Sequence, residues 1–106
     1  MAGNFAATVL GEGQLPSAKG TLYTVPGGTV TYVRAIRVHN PSGGTETITL
    51  YLKPGATSRV LTQAVLGSKE TLVIDDPITL QAGDLIEGVT TTATTVDYVI
   101  TGGEET

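Results

Sequence analysis

The chain has 106 residues, a length typical of one domain, and its ten acidic and six basic side chains give a net charge of −4. It contains no cysteine, which excludes disulfides, thiolate metal sites and thiol catalysis. The few basic residues argue against nucleic-acid binding, and without an apolar run of about 18 residues or a signal-peptide pattern we expect no membrane partner.

The composition favours strands over helices. Threonine, valine and isoleucine together make up 36 of the 106 residues, whereas charged residues make up only 15%. β-Branched side chains are stiff at χ1 and fit the pleated surface of a sheet. The chain is therefore predicted to be an all-β domain.

The N-terminal residues 1–18 are predicted to form an extended arm. The arm begins with an apolar patch from Phe5 to Leu10 and continues through a flexible stretch around Gly11 and Gly13. Such a patch either packs on a neighbouring subunit or caps the core of its own chain. We assign Phe5, Val9 and Leu10 to a candidate interface.

Residues 19–101 are predicted to form an antiparallel β-sandwich of about eight strands, of which a jelly roll is one arrangement. Turn-forming residues interrupt the apolar runs at short, regular intervals, as is typical of sandwiches and barrels. They occur at Pro26–Gly28, Asn40–Gly44, Pro54–Gly55, Gly67–Ser68, Asp75–Pro77 and Ala82–Asp84.

The segment from Thr29 to His39 is a long predicted strand whose alternation is imperfect. Val30 and Tyr32 have the same parity as the later apolar positions, but so does Arg34. A β-bulge near Val33 and Arg34, or an arginine whose stem crosses the sheet edge, explains this pattern better than a buried charge does.

The clearest strand runs from Thr45 to Lys53, because its even positions Ile48, Leu50 and Leu52 are apolar. Its other face, which carries Tyr51, is either solvated or in contact with a partner. Tyr51 is therefore the fourth candidate interface residue.

The remaining segments are assigned by the same reasoning. Ser58–Leu66 is a predicted strand, and the apolar residues from Leu72 to Leu80 keep one parity across the Asp75–Pro77 break. The threonine-rich residues 90–95 are expected in a hairpin loop, and residues 102–106 are expected as a solvated acidic tail.

No pattern of catalytic, cofactor-binding or metal-ligating residues stands out, and we predict none. His39 is the sole histidine, and no serine lies in a nucleophile elbow. Asp75, Asp76 and Asp84 fall at turns, where aspartate is an ordinary turn former, and they lack the alternating spacing of a calcium loop. The four tyrosines are a candidate sugar-stacking platform, although tyrosine on a strand is more often half-buried in a sheet.

The stretch from Leu15 to Leu52, LPSAKGTLYTVPGGTVTYVRAIRVHNPSGGTETITLYL, resembles a recurrent pattern in small virion proteins of tailed bacteriophages. The pattern runs LP...TLYTVP.G....VR.I...N......T..LY, and the likeness continues nearly to the end of the chain. Matching parts are the strand at Leu22–Tyr23, the turn at Pro26–Gly27, the strand at Arg34–Ile36 and the turn at Ala82–Asp84. The pattern describes a fold, so it carries over no catalytic residue.

The resemblance implies a structural protein of the virion, assembled in the host cytoplasm. The leading hypothesis is a capsid decoration protein without enzymatic activity that bridges subunits of the major capsid protein. Such proteins commonly form trimers or rings, so a homo-oligomer is expected. The alternative is a tail or fibre protein that binds host glycans.

Overall fold

A computed structural model describes residues 5–106 and shows, within that range, nine β-strands and no helix. The strands are β1 (Phe5–Gln14), β2 (Gly20–Thr24), β3 (Val30–His39), β4 (Glu46–Lys53), β5 (Arg59–Leu66), β6 (Thr71–Ile74), β7 (Ile78–Leu80), β8 (Leu85–Thr90) and β9 (Asp97–Glu105). The predicted all-β class is confirmed. Within the described range no helix is long and apolar enough to span a membrane.

The strands form two antiparallel sheets that pack as a sandwich. In the first sheet the order is β1-β9-β3, and both β6 and β7 pair with the far side of β3; in the second the order is β2-β8-β4-β5. The predicted sandwich is confirmed. Its core lies between the sheets and includes the fully buried side chains of Ile36, Ile48, Leu50, Ile86 and Ile100.

Strand β3 contains the predicted bulge. Its pairing with β9 passes from Val33 opposite Gly102 to Ala35 opposite Thr101, which leaves Arg34 as the extra residue. The parity expected before the bulge was wrong: Thr31 and Val33, not Val30 and Tyr32, face the core there. The reason is that one extra residue inverts the alternation along the strand.

Strands β6 and β7 behave as one strand interrupted at residues 75–77. β6 pairs with β3 from Ile36 to His39, and β7 pairs with it from Thr31 to Val33. The interruption therefore lies beside Arg34, the bulge residue of β3. The apolar residues on both sides of the break keep the predicted parity, since Leu72, Ile74, Ile78 and Leu80 all pack against the core.

Both ends of the chain take part in the first sheet. Residues 5–14 of the expected arm form β1, which pairs with β9 along its whole length, and residues 1–4 lie outside the described range. Residues 102–105, expected as a solvated tail, instead continue β9 between β1 and β3. The threonine-rich residues 90–95 are also not a hairpin loop, because Thr90 ends β8 in the second sheet and the residues after it lead to β9 in the first.

Candidate functional site: the outer face of the first sheet

The strand register arranges the outward side chains of the first sheet in rows. Residues paired across β1, β9 and β3 lie side by side on one face, because side chains alternate strictly along a strand. Nine residues form three successive rows that we call the upper patch. From the top, the rows are Phe5, Glu105 and Val30; Ala7, Gly103 and Tyr32; and Val9, Thr101 and Ala35.

The upper patch is largely apolar and exposed. Phe5 is 59% exposed, Val9 55% and Tyr32 37%. The rings of Phe5 and Tyr32 lie 6.0 Å apart between centroids, tilted by 47°, a separation within the range of stabilising aromatic pairs. Both rings line an open groove of about 820 Å³ that also contains Arg34 and Asp75. The exposed apolar side chains gathered here make the upper patch a candidate binding surface.

The lower part of the same face is polar. The next row contains Glu12, Val99 and Arg37, and the last contains Gln14, Asp97 and His39. Gln14 donates a hydrogen bond to Asp97 over 3.2 Å. The outer face is therefore divided into an apolar upper half and a polar lower half.

Glu105 in the upper patch and Arg34 beside it differ in their partners. Glu105 accepts a hydrogen bond of 2.7 Å from the Tyr32 hydroxyl, and this bond raises the pKa of Tyr32. Arg34 has no carboxylate oxygen within 4.0 Å of its guanidinium. The single ion pair among residues 5–106 joins Lys19 to Glu87. The bulge thus exposes an arginine that has no carboxylate partner among residues 5–106.

The neighbouring glutamate ties the same end of β9 to the other sheet. Glu104 points inward and accepts a 2.6 Å hydrogen bond from the hydroxyl of Tyr23, which also lies 2.7 Å from the Thr31 hydroxyl. Burial and the bond to Glu104 raise the pKa of Tyr23 to about 12. Backbone pairing with β1 and β3, together with side-chain hydrogen bonds on both faces of β9, therefore holds the C-terminal residues in the sheet.

The four predicted interface residues do not lie on one surface. Phe5 and Val9 belong to the upper patch. Leu10 is the extra residue of a bulge in β1, between Val9 and Gly11, and it is partly buried against the core. Tyr51 lies in the second sheet, where the Lys19 ammonium is 4.4 Å from its ring centroid. Their role in an interface remains a prediction.

The tyrosines do not form a common stacking platform. Tyr23 and Tyr98 are both 8% exposed and belong to the core, while Tyr32 and Tyr51 lie on the outer faces of opposite sheets. The four-residue platform considered from the sequence is therefore wrong, because the strands direct these side chains to three separate places.

His39 and Asp84, which were also considered for chemistry, have structural partners. His39 Nδ1 lies 2.7 Å from the Thr71 hydroxyl. Asp84 accepts hydrogen bonds from the backbone N–H groups of Gln81 and Gly55, as expected for a turn former. Among residues 5–106, no group of three His, Asp or Glu side chains is arranged to hold a metal ion.

Asn40, which the sequence predicts only as part of a turn, holds several turns of the structure together through its side chain. It is fully buried, and its amide donates to the carbonyl oxygens of Gly44, Leu66 and Gly67 at 2.8 to 3.1 Å. Its side-chain oxygen accepts from the backbone N–H and the hydroxyl of Ser42. The closeness of Ser42 in sequence signals this local turn, but nothing in the sequence indicates the bonds to residues 66 and 67.

No protein-family model and no curated protein matches the sequence. Among solved structures, a chain of the Bacillus endospore appendages, which form disulfide-linked pili, is 14% identical over 97% of this chain and 85% of that chain, with a TM-score of 0.51. A pentameric capsid protein from metagenomic phage sequences is 14% identical over 94% and 63%, with a TM-score of 0.42. The CBM22-1–GH10 modules of xylanase 10B from Clostridium thermocellum are 17% identical over 97% and 24%, with a TM-score of 0.42. The likeness to the appendage chain shows a shared fold.

Proposed function

We propose that this chain is a structural protein of a bacteriophage virion that decorates the capsid and stabilises the shell by bridging neighbouring subunits of the major capsid protein. The upper patch carries this proposal. It contains three of the six large apolar side chains that are exposed among the described residues, namely Phe5, Val9 and Tyr32. An exposed apolar surface on a small, rigid sandwich is suited to binding proteins and has no evident chemical task.

The strand order supports a jelly roll. When β6 and β7 are counted as one interrupted strand, each sheet has four strands, and the chain crosses between the sheets at nearly every connection. Double-sheet jelly rolls are common in viral capsid proteins. Because the same fold also serves unrelated functions, this observation supports the proposal and does not carry it alone.

The sequence resemblance and the structural comparison favour the same type of protein. The pattern from Leu15 to Leu52 resembles small virion proteins, and the fold is shared with a chain of the Bacillus endospore appendages, which form disulfide-linked pili. In a repeated assembly, many weak contacts act together, so a modest patch on each copy is sufficient. The proposed partners are the major capsid protein, other virion proteins and further copies of this chain in a trimer or ring. The proposed location is the virion, assembled in the host cytoplasm.

Binding to purified particles tests the proposal. The protein is mixed with phage capsids that lack it, and separately with tails, and bound protein is measured after sedimentation. We expect binding to capsids and a loss of binding in Val9→Asp. Val65→Asp is the matched control, because Val65 is similarly exposed, at 64%, but lies on β5 in the second sheet. Binding to tails alone would favour the tail alternative, and binding to neither particle would overturn the virion role.

A further inference from the structure

We propose that the upper patch packs face to face on the upper patch of a second copy of this chain. The two copies are related by a two-fold axis that lies between the faces and crosses the strands at the level of Gly103. This inference rests on the proposed function, in which further copies of this chain are among the partners. The pair and a capsid contact through the upper patch exclude each other, so each copy uses the patch for one contact at a time. The pairing also differs from the expected trimer or ring, because the contact joins copies in pairs.

The charges around the patch select this axis. Rotation about an axis across the strands exchanges the top and third rows, so Arg34, beside the third row of one copy, lies near Glu105 in the top row of the other. Adjacent strands are about 4.8 Å apart, a distance that an arginine side chain spans. A two-fold axis along β9 would instead place Glu105 against Glu105, which is unfavourable.

The same axis also places apolar side chains of one copy opposite apolar side chains of the other. Phe5 of each copy faces Val9 of the other, and Tyr32 and Gly103 each face their own counterparts. The lower rows, with Arg37 and Asp97, extend past the end of the partner sheet. In the pair, Arg34 gains a carboxylate that it lacks among the described residues of its own chain.

The size of the patch predicts a weak contact. Three strands about 4.8 Å apart and three rows about 7 Å apart cover about 300 Å² on each copy. A stable protein interface buries about 800 Å² on each partner. The pair is therefore expected at high protein concentration, or where an assembly holds many copies together.

A charge exchange tests the pairing by sedimentation velocity over a series of protein concentrations. We expect wild type to form dimers at high concentration, and Arg34→Glu or Glu105→Arg alone to weaken dimerisation roughly tenfold. An equal mixture of the two variants should recover wild-type dimerisation, because each new side chain then meets the opposite charge. Arg37→Glu, in the lower rows, should dimerise like wild type.

Several results would overturn the pairing. They are a monomeric wild type at millimolar concentration, a mixture that fails to recover, and an Arg37→Glu effect as large as that of Arg34→Glu. Val9→Asp provides a second test that leaves the hydrogen bond between Tyr32 and Glu105 in place, and it should also abolish dimers. A monomer that still binds capsids through Val9 would exclude the pairing and retain the proposed function.

Discussion

The ring of Phe5 lies over the bare backbone of Gly103 on the outer face of the first sheet. A Cβ atom built on Gly103 would overlap the Cζ and Cε1 atoms of that ring. An aromatic side chain on one strand commonly covers a glycine on the next strand in this way. The contact seats the upper half of β1 against β9, so the exposed ring has a defined position in the patch.

Alanine substitution should separate the roles of the two adjacent glycines of β9. In Gly103→Ala only the flexible ring of Phe5 must move, so we expect a loss of less than about 1 kcal/mol in the free energy of unfolding. In Gly102→Ala the new methyl group would overlap the backbone carbonyl of Tyr32, beside the Arg34 bulge, and the expected loss is about 3 kcal/mol. Urea denaturation measures both values.

Hydrogen exchange locates the effect of Gly103→Ala. Amide protection should fall between Phe5 and Val9 and stay unchanged in β3. Gly43→Ala is the control, because a Cβ there meets no atom within 4 Å. Equal losses of stability in Gly102→Ala and Gly103→Ala would contradict the assignment of these roles.

Asn40 should be among the residues most sensitive to substitution. Asn40→Ala removes the donor for three carbonyl groups, and Asn40→Asp places a carboxylate against them. We expect a loss of about 3 kcal/mol for the alanine variant and a larger loss for the aspartate variant, measured by urea denaturation. Ser42→Ala removes one donor to Asn40 and should cost about 1 kcal/mol. A similar cost for Ser42→Ala and Asn40→Ala would contradict this ranking.

Alternation along single strands was sufficient to predict much of the fold. In β4, the even positions Ile48 and Leu50 are fully buried, as the sequence predicts. In β3 the bulge was predicted but the face before it was not, because a bulge inverts parity and polar Thr31 is a poor candidate for the core. Thr31 is buried because its hydroxyl lies within hydrogen-bond distance of Tyr23, a partner that the sequence does not reveal.

The upper patch could be predicted only in part. Phe5 and Val9 were identified because they begin an apolar run, but the other strands of the patch are remote in sequence. The C-terminal glycines and glutamates are typical of a solvated tail. They continue β9 because their backbone pairs with β1 and β3. Tyr23 and Tyr32, 81 and 73 residues from their glutamate partners, add hydrogen bonds to the two carboxylates. Contacts over such distances depend on the topology, which local patterns do not specify.

Because of Glu46, the free energy of unfolding should decrease at acidic pH. Burial raises its pKa, but hydrogen bonds from the Thr92 backbone N–H and the Thr90 hydroxyl outweigh burial and hold the pKa below the ordinary 4.5. A carboxylate with a lowered pKa stabilises the fold above the unfolded value, and this contribution is lost as the pH falls through the folded value. In Glu46→Gln we expect a flatter decline of the free energy of unfolding below about pH 4.5.

Thr90→Val provides an independent test of this assignment. It removes one donor to Glu46, so it should reduce the same acid-dependent contribution while leaving the carboxylate in place. An acid profile of Glu46→Gln that matches wild type would exclude Glu46 as its source.

Because of Tyr23, the free energy of unfolding should decrease at alkaline pH. Its pKa rises from 10.0 to about 12 in the fold, first because of burial and then because of the hydrogen bond to Glu104. A group with a raised pKa contributes its full stability below the unfolded value of 10.0 and loses it as the pH rises to about 12. Tyr23→Phe should therefore be less stable than wild type at neutral pH, and its free energy of unfolding should decline less steeply between pH 10 and 12.

Glu104→Gln keeps the burial but removes the charge, so tyrosinate absorbance should show Tyr23 ionising at a lower pH than in wild type. Wild-type ionisation of Tyr23 in Glu104→Gln would show that the bond between the two sheets does not contribute to its pKa.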